Sequence, residues 1–157
     1  MNIILLTVGR TAVKWVAEGL ELYASRLRHY APFTVCEIPQ LKNVGAFSPA
    51  QIKQKEGALI LSKVNPADEV ILMDERGKQY TSLEFAAWLQ DRLVRVRGDV
   101  VFVIGGAYGF SEEVYARANG KVSLSKMTFS HQMVRTIFAE QLYRAFTIIK
   151  GDPYHNE

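Results

Sequence analysis

From Asp99 to Arg135 the chain reads DVVFVIGGAYGFSEEVYARANGKVSLSKMTFSHQMVR, with Gly105, Gly106 and Gly109 following directly on five apolar residues, Val100 to Ile104. Glycines at the carboxyl end of a strand let a ligand approach the backbone, and in open α/β sheets that crevice is where ligands bind. The flanking residues decide which ligand. A phosphate-cradling loop needs four residues between its glycines, then Lys and Ser or Thr; here Gly109 is followed by Phe110 and Ser111, with no lysine near. A dinucleotide fingerprint needs G-x-G-x-x-G and an acid about twenty residues on, whereas this chain has G-G-x-x-G and its next strand ends in Ser125 and Lys126. Lys126 would suit a 2′-phosphate, so an NADP-dependent reductase stays open. A third ligand is a nucleoside without phosphates, held by backbone groups and by apolar walls from Leu124, Met127 and Phe129. Glycines that merely turn the chain are the remaining reading.

The elements that position this turn follow from pattern. Ile3–Val8 reads as a buried strand ended by Gly9, and from Ala12 to Arg28 the residues Val13, Val16, Leu20, Tyr23 and Leu27 recur at helical spacing. Phe33–Ile38 alternates as a strand before a loop over Pro39–Phe47. Ser48, Pro49 and Gln51 open a helix that runs to Val64, stopping before Asn65 and Pro66. Val70–Met73 is the next buried strand and Asp74–Lys78 a turn, after which Thr81 and Glu84 open a helix to Val96. Ser111 caps a short helix ending at Asn119 and Gly120, Val122–Leu124 is a strand, and Ser130 caps the last helix. On that helix Val134, Ile137, Phe138, Gln141, Leu142, Ala145, Ile148 and Ile149 form a stripe that Met133 and Phe146 widen beyond one surface. A second copy of the chain or a deep groove within it would cover the excess. Strands alternating with helices imply an α/β fold, a mostly parallel sheet with helices on both faces, in a single domain over 1–157.

Composition bounds the rest. At 157 residues, 48% hydrophobic and 22% charged, the chain is outside the disordered class. No apolar run approaches the ~20 residues of a membrane span, and residues 3–8 are too short, and lack a basic lead, for a signal peptide. The lone Cys36 forms no internal disulfide and its strand alternation favours a buried, inert thiol, in keeping with the cytoplasm. A net charge of +3 permits an anionic partner without requiring one. Arg92, Arg95 and Arg97 fall in a helix's last turn, where cations complement the dipole. No metal is expected.

Longer stretches are recognisable. Val101–Gly106, Leu124–Arg135, Glu140–Ala145 and Pro153–His155, together with Val8-Gly9, Glu37-Ile38-Pro39 and Lys55-Glu56-Gly57, closely resemble the RlmH family, ribosomal RNA large-subunit methyltransferases of the SPOUT superfamily. The resemblance spans nearly the whole chain. It implies a deep trefoil knot made by roughly residues 98–157, a rare exception to the rule against threading. It also implies an obligate homodimer, and S-adenosylmethionine bound in the knot near the subunit interface. The implied cofactor contacts are Met73, where many relatives carry Leu, then Gly105, and Leu124, Ser125, Lys126, Met127, Thr128 and Phe129. The implied reaction is methylation of N3 of a pseudouridine in helix 69 of 23S ribosomal RNA on the assembled ribosome.

Against that reaction, His131 is either a general base or a histidine that shapes the start of a helix, whose dipole disfavours imidazolium. Arg135, one turn on, is expected to touch an RNA phosphate or a pyrimidine oxygen in preference to a structural ion pair. Arg144, four residues after Glu140, reads as an intrahelical pair. The resemblance places the tail over the cofactor site, where Tyr154 would stack on a base and His155 hold its edge or take its proton. Asp74 and Glu75 could bind ribose hydroxyls, although a solvated turn is the simpler account. A catalytically inactive ribosome-binding factor with the same fold is the non-enzymatic alternative.

Overall fold

Ile3–Val8 and Val100–Ile104 are almost wholly β-branched or large apolar residues, a composition that suits strands covered on both faces. In the computed structural model, which describes residues 1–156, they lie side by side at the centre of a five-stranded sheet. The elements in order are β1 (Ile3–Val8), α1 (Lys14–Leu27), β2 (Phe33–Ile38), α2 (Pro49–Leu61), β3 (Glu69–Gln79), α3 (Ser82–Arg95), β4 (Val100–Ile104), α4 (Glu112–Arg117), β5 (Gly120–Ser123) and α5 (Met133–Lys150). All pairings are parallel and the strand order is β2-β1-β4-β3-β5.

Alternation along β4 divides the core. Phe102 faces a layer made by α1, α3 and α5, with Leu20, Phe85, Leu89, Phe138 and Leu142 around it. Val101 and Val103 face the opposite layer, against Ile60 of α2 and Val114 of α4. The broad stripe of α5 is explained largely within the chain, because this helix wedges between α1 and α3 and buries Phe138, Ala139, Leu142, Ala145 and Phe146. Met133 stays 42% exposed, and Trp15 and Phe129 are exposed as well.

Both expected capping boxes form, Ser48 with Gln51 and Thr81 with Glu84. Other boundaries shift where distant groups intervene. α1 starts at Lys14 instead of Ala12, and its free N–H groups at Ala12 and Val13 donate to the Gln132 side chain at 2.9 and 3.4 Å. α5 starts at Met133, with Ser130 Oγ accepting that residue's N–H at 3.0 Å. α2 ends at Leu61, short of Val64, and α4 at Arg117, freeing Asn119 to accept the Val70 N–H and β5 to begin at Gly120. The largest departure is at Asp74–Lys78, expected as a turn. Val122 of β5 faces both Met73 and Lys78, so residues 74–77 bulge out of the ladder and the strand resumes. Cys36 lies in β2 as expected, but its thiol is only partly buried. Among the described residues no helix is long and apolar enough to cross a membrane.

Candidate functional site

At the carboxyl ends of β3, β4 and β5 a cavity of about 520 Å³ opens, closed on one side by the start of α5. Its size is within the range of small-molecule sites. The glycine turn forms its floor. None of Gly105 and Gly106 adopts a positive φ, so space is what these two positions require. A Cβ on Gly105 would lie 2.9 Å from Phe110 Cε1, and one on Gly106 would lie 2.7 Å from both carboxyl oxygens of Glu56. Facing the turn, the loop after β5 is held by its own hydrogen bonds: Ser123 Oγ donates to the Ser125 carbonyl at 2.8 Å and Ser125 Oγ accepts the Met127 N–H at 2.9 Å. Thr128 donates to Glu75 at 2.5 Å, tying this loop to the bulge of β3.

Seven of the eight expected cofactor contacts, Met73, Gly105, Leu124, Ser125, Met127, Thr128 and Phe129, line this one cavity, together with His131. Lys126 does not: its side chain is exposed and is absent from the lining. That is the first correction to the expected contacts.

Arg135 requires a second correction. It is 0% exposed, and no substrate can reach it. Its Nε donates to the His131 carbonyl at 2.9 Å, Nη1 to the Gly9 carbonyl at 2.9 Å and to Thr11 Oγ1 at 2.8 Å, and Nη2 to the Val8 carbonyl at 2.9 Å. Glu37, 3.6 Å away, balances the charge. Arg135 is a clasp between the end of β1 and the start of α5. Tyr154 and His155 are not brought to the cavity of their own chain either. The Tyr154 hydroxyl donates to Glu140 at 2.9 Å and its ring packs edge-on to Tyr143 at 4.8 Å, while His155 Nδ1 lies 3.1 Å from Arg144 Nη1. Burial, then the Glu140 hydrogen bond, pushes the Tyr154 phenol well above its ordinary pKa. Arg144 pairs with Glu140 at 3.0 Å, as its spacing implies.

The two acids weighed against a solvated turn, and a phenol that sequence patterns pass over, complete the wall. Asp74, Glu75 and Tyr115 line the cavity, and the Tyr115 hydroxyl donates to Asp74 at 2.5 Å. Burial pushes the Asp74 carboxyl up. The Tyr115 and Arg76 N–H hydrogen bonds and the charges of Arg76 and Lys121 outweigh that, leaving it below the usual range. Asp74 and Glu75, directly after a buried strand, carry a signal in the sequence; Tyr115, in the middle of a short helix, carries none.

Glu56 supports the turn from behind, and burial raises its carboxyl pKa above the ordinary value. With the folded value above the unfolded one, its contribution to stability is complete below the ordinary glutamate pKa and is lost as pH rises through the raised value. Glu56→Gln is therefore expected to gain stability relative to the wild type as pH rises above the ordinary glutamate pKa. Urea midpoints across that rise check this, and parallel curves would refute it.

A sheet of this order, with its cavity between a glycine turn and the loop entering the last helix, defines a class. The family described as "Predicted SPOUT methyltransferase" matches residues 1–155, and the chain belongs to it. Within that class it belongs with the large-subunit ribosomal RNA methyltransferase H proteins. "Ribosomal RNA large subunit methyltransferase H" of Parabacteroides distasonis is 50% identical over 100% of both chains. The proteins of that name from Bacteroides fragilis and Christiangramia forsetii are 49% identical over 100% of both chains, and 52% identical over 99% of both.

Proposed function

We propose that this protein is an S-adenosylmethionine-dependent methyltransferase of large-subunit ribosomal RNA, that its target is N3 of a pseudouridine in helix 69 on the assembled ribosome, and that it works as a cytoplasmic homodimer. The observation that carries the reading is the convergence of Met73, Gly105 and five residues of the 124–129 loop on one cavity. That cavity suits an adenosyl group without phosphates: its glycine floor admits a ligand to the backbone, its walls include Ile104, Leu124 and Val134, and Asp74 and Glu75 match a positively charged, hydroxyl-bearing ligand. When bound, the cofactor supplies a methyl group on a sulfonium sulfur, an electrophile that needs no activation by the protein.

What remains for the chain is to hold the target nitrogen in line and to receive its proton. Such positioning is worth ~7 to 11 kcal/mol. His131 lines the cavity, and we assign it the role of taking a proton there. Tyr154 and His155 sit farther along α5, so the stacking and edge-holding roles we give them require the tail of one protomer to face the cavity of the other. The exposed Trp15, Phe129 and Met133 provide apolar surface for that pairing. We further propose that roughly residues 98–157 form the knot, within a single domain over 1–157; Glu157 lies outside the described residues.

Methyl transfer from labelled cofactor decides the reading. Ribosomes from a strain lacking this activity should incorporate label at one helix 69 pseudouridine, and naked 23S RNA should incorporate little. Ribosome association without incorporation would leave an inactive binding factor. Removing residues 153–157 is expected to spare folding and dimerisation and to lower turnover at least tenfold. A fully active truncation would remove the tail from the mechanism.

A further inference from the structure

β3 leaves its ladder with β5 after Met73 and rejoins it at Lys78. The excursion between them is tightly built. Gly77 lies so close to β5 that a Cβ there would stand 2.7 Å from the Lys121 carbonyl carbon. Asp74 Oδ1 accepts the Arg76 N–H at 2.9 Å, and Asp74 Oδ2 accepts the Tyr115 hydroxyl. Three successive charges are thereby set on the wall of the cavity, Asp74, Glu75 and Arg76. Asp74 is satisfied from within, and Glu75 is engaged by Thr128 across the mouth. Arg76 differs from both. Its side chain is 78% exposed, Nη2 donates to the Tyr115 hydroxyl at 3.3 Å, and Nε stands 3.9 Å from Asp74. A guanidinium carries five N–H donors in a planar fork, so most of them remain available to a ligand.

A folding role accounts for little of this. An exposed pair at that distance adds little to stability, and Asp74 already has its hydrogen bonds from Tyr115 and from the backbone. Arg76 is also the one lysine or arginine among the described residues that line the cavity. The two acids beside it suit the cationic and hydroxyl-bearing parts of a sulfonium nucleoside, and the guanidinium has no counterpart in those parts. It fits a two-oxygen anion, taken by paired N–H groups.

We propose that Arg76, steadied by Tyr115 and Asp74, is an oxyanion-binding residue at the rim of the cavity, where it takes either the carboxylate of the cofactor's amino-acid portion or a phosphate of the RNA beside the target base. The inference rests on the reading that the cavity holds an S-adenosyl cofactor. The two anions are separable. Calorimetry with S-adenosylhomocysteine and with 5′-deoxy-5′-methylthioadenosine, which shares the adenosine and thioether but lacks the amino acid, is run on wild type, Arg76→Ala and Arg76→Lys; ribosome affinity is measured for each at several salt concentrations.

If the carboxylate is the ligand, Arg76→Ala weakens S-adenosylhomocysteine at least tenfold and leaves methylthioadenosine unchanged, with Arg76→Lys between. If it is a phosphate, both nucleosides bind as before, ribosome affinity falls, and the slope of log affinity against log salt shrinks by about one unit. Variants that match the wild type in every arm overturn the role of Arg76 alone. A folded wild type that binds neither nucleoside overturns the cofactor reading, and this inference with it.

Discussion

Replacing Gly105 with valine is expected to abolish cofactor binding, by at least a hundredfold, and to leave a folded protein. The cause is space. A Cβ at this position already meets three ring atoms of Phe110, at 2.9, 3.1 and 3.3 Å. That ring is 7% exposed and packs edge-on to Tyr115 at 5.8 Å within the layer under α4, so it has little room to withdraw. The backbone must move instead, and both γ-carbons of valine then add bulk at the floor of the cavity. Overpacking of this kind costs about 1 to 3 kcal/mol, which a domain of ordinary stability, about 5 to 15 kcal/mol, survives. Calorimetry with S-adenosylmethionine, paired with a urea midpoint to show that the variant is folded, measures the effect. Unaltered affinity would take this glycine out of the site.

Arg135→Ala is expected to lower stability by about 3 to 5 kcal/mol, the range for removing one partner of a buried charged cluster. Three backbone carbonyls, those of Val8, Gly9 and His131, would each lose a donor, as would Thr11, and that of Gly9 keeps the Thr7 hydroxyl as a donor. A buried acceptor left without a partner costs about 1 to 3 kcal/mol. Burial pushes the guanidinium pKa down and Glu37 pulls it back, yet the group stays charged at any pH at which the protein folds. Lysine should not rescue the position, since one ammonium cannot reach both ends of the fork. Urea denaturation measures the loss, and cofactor affinity should fall with it because His131, whose carbonyl is clasped, lines the cavity. A stability loss below about 1 kcal/mol combined with weaker ribosome binding would restore Arg135 to substrate contact.

The two corrected residues show why some of the site was legible and some was not. Gly105 and the 124–129 loop are identifiable because their requirement is local: a glycine directly after an apolar strand and a polar loop before a helix have one arrangement in an open sheet. Arg135 and Lys126 look alike in sequence, each a cation near that loop. Their fates are decided by what lies across from them. The carbonyls that bury Arg135 belong to residues 126 and 127 positions away, and nothing comparable faces Lys126. The β3 bulge was hidden for a similar reason: Asp74–Gly77 has turn composition, and only pairing with β5 on its far side returns the chain to the sheet at Lys78.

Sequence by itself determined the parallel α/β architecture, the two capping boxes and the glycine turn at the end of β4, since each follows from residues within a few positions of one another, through periodicity, hydrogen bonding to the adjacent backbone or steric size. Tertiary structure alone decided that Arg135 is a buried clasp, that Asp74, Tyr115 and Arg76 stand together at the cavity rim, and that the tail rests along α5 away from its own cavity. Those outcomes depend on which strand edges and helix faces meet, and the free energy of such meetings belongs to pairs of segments that no local window contains.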